Sequence, residues 1–129
     1  MIVADSDVLI DYLRGREPSF GRIQLELGTG RLATTSVNAF ELLSGARTER
    51  EQEKVQRLLA AMVILPVDSL AAEAAAAARR ELERTGHGIG MADYLIAGVC
   101  LVHRGILITR NLDHFGRVPG LSLSARLES

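Results

Sequence analysis

Ile2-Val3-Ala4-Asp5-Ser6-Asp7-Val8-Leu9-Ile10-Asp11 is the stretch that decides the fold. Its first three side chains are apolar, as in a strand buried on both faces. An acid stands where that strand stops. From 6 to 13 the apolar residues Val8, Leu9, Ile10, Tyr12 and Leu13 predict a helix closed by Gly15.

The same alternation continues down the chain. Residues 18–27 read as a helix and 32–35 as a short strand. Ser36 then reads as the N-cap of a helix that carries Val37, Phe40, Leu42 and Leu43 and stops near Gly45. Residues 48–61 predict a charged amphipathic helix and 63–67 a strand. Asp68 caps a long helix over 69–84, whose alanines are strong helix formers. Gly86, Gly88 and Gly90 make a loop, followed by a helix over 91–104 with Gly105 as its C′ residue. A strand over 106–109, a helical turn near 111–115 and an edge strand over 121–123 complete the pattern. Continuous apolar strands alternating with helices predict an α/β fold, a parallel sheet covered on both faces, as one domain over residues 1–129. Ligands of such sheets bind outside the carboxyl ends of the strands.

Composition sets the outer limits. Of 129 residues, 47% are apolar, enough for one sizeable core. The net charge of −1 lacks the basic excess usual in nucleic-acid binders, so a nucleic acid would have to meet a local patch. Lys54 is the only lysine, and the other basic residues are arginines, whose forks suit phosphate. Arg14, Arg16, Arg47, Arg50, Arg110 and Arg117 are available, with Arg110 the best single candidate because it adjoins an acidic motif. Aromatics are only 4%, too few for an extended base-stacking platform. Cys100 is the lone cysteine; it excludes an intrachain disulfide and reads as a buried, inert thiol. No basic segment precedes an apolar one at the start, and the longest uncharged apolar stretch, 94–102, is too short to cross a bilayer. A soluble cytoplasmic protein is expected.

The acids carry the chemistry. Asp5 follows the first strand, Asp113 follows closely on 106–109, and Glu41 lies one to two turns into the helix after the second strand, so all three belong to one sheet edge. Asp93 sits in the first turn of its helix, beside the glycine loop. Each acid alone has a plain reading as a cap or a solvated residue. Together, clustered carboxylates repel one another, and a hard divalent cation removes the conflict. Oxygen-only ligands select Mg²⁺ or Mn²⁺, which can polarise a phosphoryl oxygen and activate water for attack on phosphorus. Asp68 is set aside as a helix cap; Asp7 and Asp11, spaced i, i+4, are expected to be solvated, with one of them at most near the site rim. His87, His103 and His114 lack a zinc spacing, and His103 beside Arg104 suits a helix C-terminus.

Four segments taken together resemble the PIN-domain ribonucleases, and in length the VapC toxins of bacterial toxin–antitoxin pairs. They are 2–11 above; Thr35-Ser36-Val37-Asn38-Ala39-Phe40-Glu41-Leu42-Leu43-Ser44-Gly45; Met91-Ala92-Asp93-Tyr94-Leu95-Ile96-Ala97; and Leu107-Ile108-Thr109-Arg110-Asn111-Leu112-Asp113-His114-Phe115 with Val118-Pro119-Gly120-Leu121. The resemblance implies a three-layer α/β/α sandwich with five parallel strands in the order 3-2-1-4-5. It implies Asp5, Glu41 and Asp93 as the acidic set, with Asp5 and Asp93 as direct metal ligands. In the family an acid often follows the Thr-Arg pair directly, where this chain has Asn111. Asp113 is expected to supply the fourth charge in its place, with Asn111 and Arg110 as auxiliaries. A metal-dependent ribonuclease toxin, a cognate antitoxin that covers the acidic site and a toxin homodimer follow from the same resemblance.

Two other readings compete. Asp5-Ser6-Asp7 after a strand mimics the nucleophile pair of a haloacid dehalogenase-type phosphatase, but that chemistry needs a lysine by the phosphate and a later acidic pair. Lys54 sits in a charged helix, and no adjacent aspartate pair exists. A non-catalytic receiver-like domain would also need a lysine after its last strand, and a degenerate PIN scaffold would have lost its acids.

Overall fold

The computed structural model describes residues 1–127. Five strands form one sheet: β1 (Ile2–Ala4), β2 (Ala33–Thr35), β3 (Val63–Leu65), β4 (Ile106–Ile108) and β5 (Ser122–Leu123). All neighbours are parallel, in the order β3-β2-β1-β4-β5. The helices are α1 (Ser6–Leu13), α2 (Ser19–Leu27), α3 (Ser36–Gly45), α4 (Glu49–Ala60), α5 (Ser69–Arg84), α6 (Met91–His103) and α7 (Leu112–Phe115).

The order explains the layers. From β1 the chain steps to β2 and β3 on one side, then returns to β4 on the other side of β1. Right-handed crossovers in opposite directions place their helices on opposite faces. Accordingly Val8, Leu9, Ile23, Leu42, Val55 and Leu58 of α1–α4 pack with Ala4 and Ile108 in one core. Residues of α5 and α6, with Phe115 of α7, pack with Val3, Ala33 and Leu107 in the other. Consecutive strand residues feed opposite cores, as the period of two requires, so the strands read as unbroken apolar runs.

The reversal between β1 and β4 is a topological switch point, where the strand ends diverge and leave a crevice. Asp5 continues the ladder there: its N–H donates to the Ile108 carbonyl at 2.9 Å.

Two caps differ from the sequence reading. Thr35, not Ser36, is the N-cap of α3, because a capping box pairs it with Asn38. At the end of α6, Arg104, not Gly105, takes the left-handed conformation, with φ 52°. The N–H of Arg104 donates to Leu101 O and that of Gly105 to Cys100 O, a Schellman arrangement. Gly105 is needed for a different reason: a Cβ there would lie 2.8 Å from Cγ2 of Val3. Asp68 caps α5 as expected, accepting from Ala71 N–H at 2.9 Å. Cys100 is buried, which pushes its thiol up to about 12.

Candidate active site

Three strand ends meet at the switch point, and each contributes a polar group. Asp5 leaves β1 as the N-cap of α1, with Oδ1 accepting from Ser6 N–H at 2.8 Å. Thr109 leaves β4 and donates its hydroxyl to Oδ2 of Asp5 at 2.7 Å. Thr35 ends β2, and its capping partner Asn38 donates from Nδ2 to Oδ1 of Asp5 at 3.0 Å. The same Nδ2 donates to Ser6 Oγ at 2.9 Å, and Ser6 Oγ donates to Oε1 of Glu41 at 2.7 Å. Asp5 and Glu41, 36 positions apart in the chain, are thereby joined through Ser6 and Asn38.

Burial dominates the electrostatics. It pushes the Asp5 carboxyl up to about 6, with the neighbouring Asp7 charge adding to the effect; the bonds from Thr109, Ser6 and Asn38 act against it. Asp7 is also raised, chiefly by burial. Among the described residues no cationic side chain pairs with Asp5.

Asp11 is buried and Asp7 half-buried, where the sequence reading favoured solvated positions for both. Asp7 Oδ2 accepts from the Arg110 N–H at 3.0 Å, so α1 holds the loop after β4. Asp11 is 7% exposed; it accepts from Ser19 Oγ at 3.0 Å and pairs with Nε of Arg110 at 2.9 Å. The loop folds back across the exposed side of α1, and sequence periodicity cannot register that cover. Arg110 is thus partly spent on Asp11, though its side chain is still 58% exposed.

Asp93 lies in the first turn of α6 and pairs with Nδ1 of His114 at 3.2 Å. Packing of α6 on α3 brings that turn near Glu41: Glu41, Met91 and Ala92 line one groove. The structure does not bring Asp113 to the Asp5 network. Its side chain is 82% exposed and pairs with Arg117 one turn on, at 3.1 Å. The short α7 turns position 113 outward, whereas Asn111 at its N-cap is half-buried and donates its N–H to Thr109 Oγ1 at 3.0 Å.

Sequence reasoning missed Ser6, Asn38 and Thr109 as partners of the acids. A signal existed for Asn38: Thr35 followed three residues later by a side chain that can reach back is a capping-box spacing.

The donor set suits a hard divalent cation, since every candidate is an oxygen and, among the described residues, Asp5 has hydrogen bonds but no cationic partner. Among the described residues no three His, Cys, Asp or Glu side chains stand close enough to form a ready-made cluster. The residues present therefore fit an ion bound by one or two carboxylates and otherwise by water.

Residues 2–121 match the PIN domain family model. The chain is 38% identical over 115 residues to "Ribonuclease VapC10" of Mycobacterium tuberculosis, covering 89% of this chain and 86% of that protein. Its fold superposes on the crystal structure of VapBC2 from Rickettsia felis bound to a promoter DNA fragment, with TM-score 0.86, 25% identity and 96% and 98% of the two chains covered. It likewise matches a "Toxin-antitoxin complex from Klebsiella pneumoniae", with TM-score 0.80, 25% identity and both chains fully covered, at 100%. The chain belongs to the PIN-domain family, on its VapC branch.

Proposed function

We propose that residues 1–129 act as one PIN domain that hydrolyses RNA phosphodiester bonds with a divalent cation, Mg²⁺ or Mn²⁺, and is held in check by an antitoxin protein. The observation that carries this reading is Asp5: a buried carboxylate at the switch point of a parallel sheet, hydrogen-bonded into a network with Glu41, with no cationic side chain among the described residues to answer its charge. Similarity to a mycobacterial VapC ribonuclease and to a toxin–antitoxin complex supports it.

Asp5 and Asp93 would hold the cation, and Glu41 would act beside it, directly or through water. A bound cation would neutralise phosphoryl charge and acidify water at the site. The chain's own residues do the rest. Thr109 and Asn38 fix Asp5 from both sides. Ser6 holds Glu41 as an acceptor, able to take a proton from the attacking water. Arg110, anchored by Asp11, leaves a guanidinium at the rim for the RNA backbone. Tyr12 and Phe20 stack on each other with ring centroids 5.2 Å apart, Tyr94 and Phe115 are buried, and Phe40 is the one aromatic ring among the described residues that is largely exposed, so contact with RNA would lean on charge and shape.

The antitoxin would place an Arg or Lys among the acids. Glu41 also borders a groove with Ile10 and Leu13 on its apolar side and Arg14, Glu51 and Lys54 among its charged lining, which fits an amphipathic segment of such a partner. An apolar contact is needed because an exposed salt link alone is screened. Phe40 and Met91, 68% and 70% exposed on neighbouring helices, offer an apolar face for a second copy. No helix among the described residues is long and apolar enough to cross a membrane.

The purified chain is expected to cleave RNA in Mg²⁺ or Mn²⁺ and to stop in excess EDTA. Its expression alone should arrest bacterial growth, and co-expression of its antitoxin should restore it. Full cleavage in EDTA would sink the metal-dependent mechanism. Normal growth with soluble, unmutated protein present would sink the toxin reading.

A further inference from the structure

Asn38 is an uncharged residue outside the acidic set, yet its side chain holds more of the site together than any acid does. It is 0% exposed, and its whole carboxamide is engaged. Oδ1 accepts from the Thr35 N–H at 3.3 Å and from the Thr35 hydroxyl at 2.7 Å. Nδ2 donates to Asp5 Oδ1 and to Ser6 Oγ. The amide cannot be turned over, because the Thr35 N–H can only donate and a carboxylate such as Asp5 can only accept.

That orientation sets the direction of every bond beyond it. The Ser6 hydroxyl receives from Asn38 on its oxygen, so its own hydrogen goes to Glu41. On Asp5 the two oxygens become unequal. Oδ1 accepts from both Ser6 N–H and Asn38 Nδ2, which uses its two lone pairs. Oδ2 accepts from Thr109 alone among the described strong contacts and keeps one lone pair.

We propose that Asn38 is a positioning residue for the reaction: it ties the ends of β1 and β2 together, saturates Oδ1 of Asp5, and leaves Oδ2 as the oxygen offered to a divalent cation. The part of this concerning the cation rests on the function proposed above; the part concerning the pose of Asp5 does not. Loss of a partner that orients a metal ligand characteristically costs 10- to 100-fold in affinity or rate.

Three variants separate positioning from simple folding. Asn38→Ala removes both the cap and the bridge. Asn38→Asp keeps the shape and the acceptor for Thr35 but replaces the donor with an oxygen facing Asp5. Thr35→Val weakens the cap and leaves the donor in place. A crystal structure of metal-free Asn38→Ala is expected to find the Asp5 carboxylate rotated or split between rotamers. Calorimetric titration with Mn²⁺ is expected to give about 10-fold weaker binding for both Asn38 variants, and kcat should fall about 10- to 100-fold with little change in KM. Thr35→Val should lose thermal stability comparably to Asn38→Ala while keeping Mn²⁺ affinity within about 2-fold, well short of the loss a positioning partner causes. An Asp5 pose unchanged in Asn38→Ala overturns the proposal, whatever the activity. So does loss of Mn²⁺ affinity in Thr35→Val equal to that in the Asn38 variants. If the unmutated protein neither binds Mn²⁺ nor cleaves RNA while Asp5 still moves in Asn38→Ala, the functional reading fails and the positioning role stands.

Discussion

Asp5→Asn is expected to lose RNA cleavage by about 10³-fold or more, and yet to give a metal-free protein that is more stable near neutral pH. Both effects come from one charge. The carboxylate is the buried anion that a cation would answer, and an amide offers that ion only a dipole. Without the ion, burial and Asp7 hold the Asp5 carboxyl up to about 6, so the folded state is penalised for ionising it. The unfolded chain ionises near its ordinary value of about 4. The penalty therefore grows as pH rises from about 4 through 6 and is complete at pH 7. Two pKa units correspond to roughly 3 kcal/mol, an upper bound for the gain in the variant. An asparagine at position 5 can still accept from Ser6 and Asn38 and can donate to the Thr109 oxygen. Urea unfolding in EDTA checks this: the variant should be more stable than the unmutated protein at pH 7 and equal to it near pH 4. A variant less stable at pH 7 would show that Asp5 serves the fold rather than the chemistry.

Gly98 carries the largest expected effect on stability. It lies on α6 where that helix meets Ala71 and Ala75 of α5. A Cβ at position 98 would collide with the Ala71 carbonyl oxygen and stand 2.9 Å from the Ala75 Cβ. Helix propensity alone favours alanine over glycine by about 1 kcal/mol. Overpacking costs about 1–3 kcal/mol, and here the obstacle is backbone, which yields little. Gly98→Ala is thus expected to destabilise by about 1–2 kcal/mol net, and Gly98→Val by about 3 kcal/mol or more. Chemical denaturation of the two variants measures this, and a neutral or stabilising Gly98→Ala would mean that the helices separate at little cost. The alanines of α5 have a second use beyond propensity: Ala71, Ala75 and Ala78 are the buried face on which α6 rests.

The elements were legible where local signals suffice. The bounds of β1, α1 and α5 coincide with the sequence reading. Apolar continuity, a glycine stop and a capping aspartate are properties of the segments themselves. The sheet order came from the family resemblance, since spacing does not say on which side of β1 a later strand lands. Contacts between segments were not legible. Asp7 and Asp11 sit on what would be a solvent face of α1 until the loop at Arg110 covers them. Asp113 is two residues from Asn111 in the chain, but half a helical turn carries it to the opposite side. Ser36 drew the cap reading because serine is a favoured cap, and it hid the Thr35–Asn38 pair that ties two strand ends together.

The most direct measurement is the chemistry of the cut ends. End-labelled RNA is incubated with the purified chain in Mn²⁺, and the products are compared with those from the same RNA carrying a 2′-deoxy nucleotide at the scissile position. If water attacks phosphorus with Glu41 as proton acceptor, the 2′-hydroxyl takes no part. Cleavage should then leave no 2′,3′-cyclic phosphate and should survive the deoxy substitution. Cyclic phosphate ends, or cleavage lost with the 2′-hydroxyl, would contradict the account, because the nucleophile would come from the RNA and not from water activated beside Asp5.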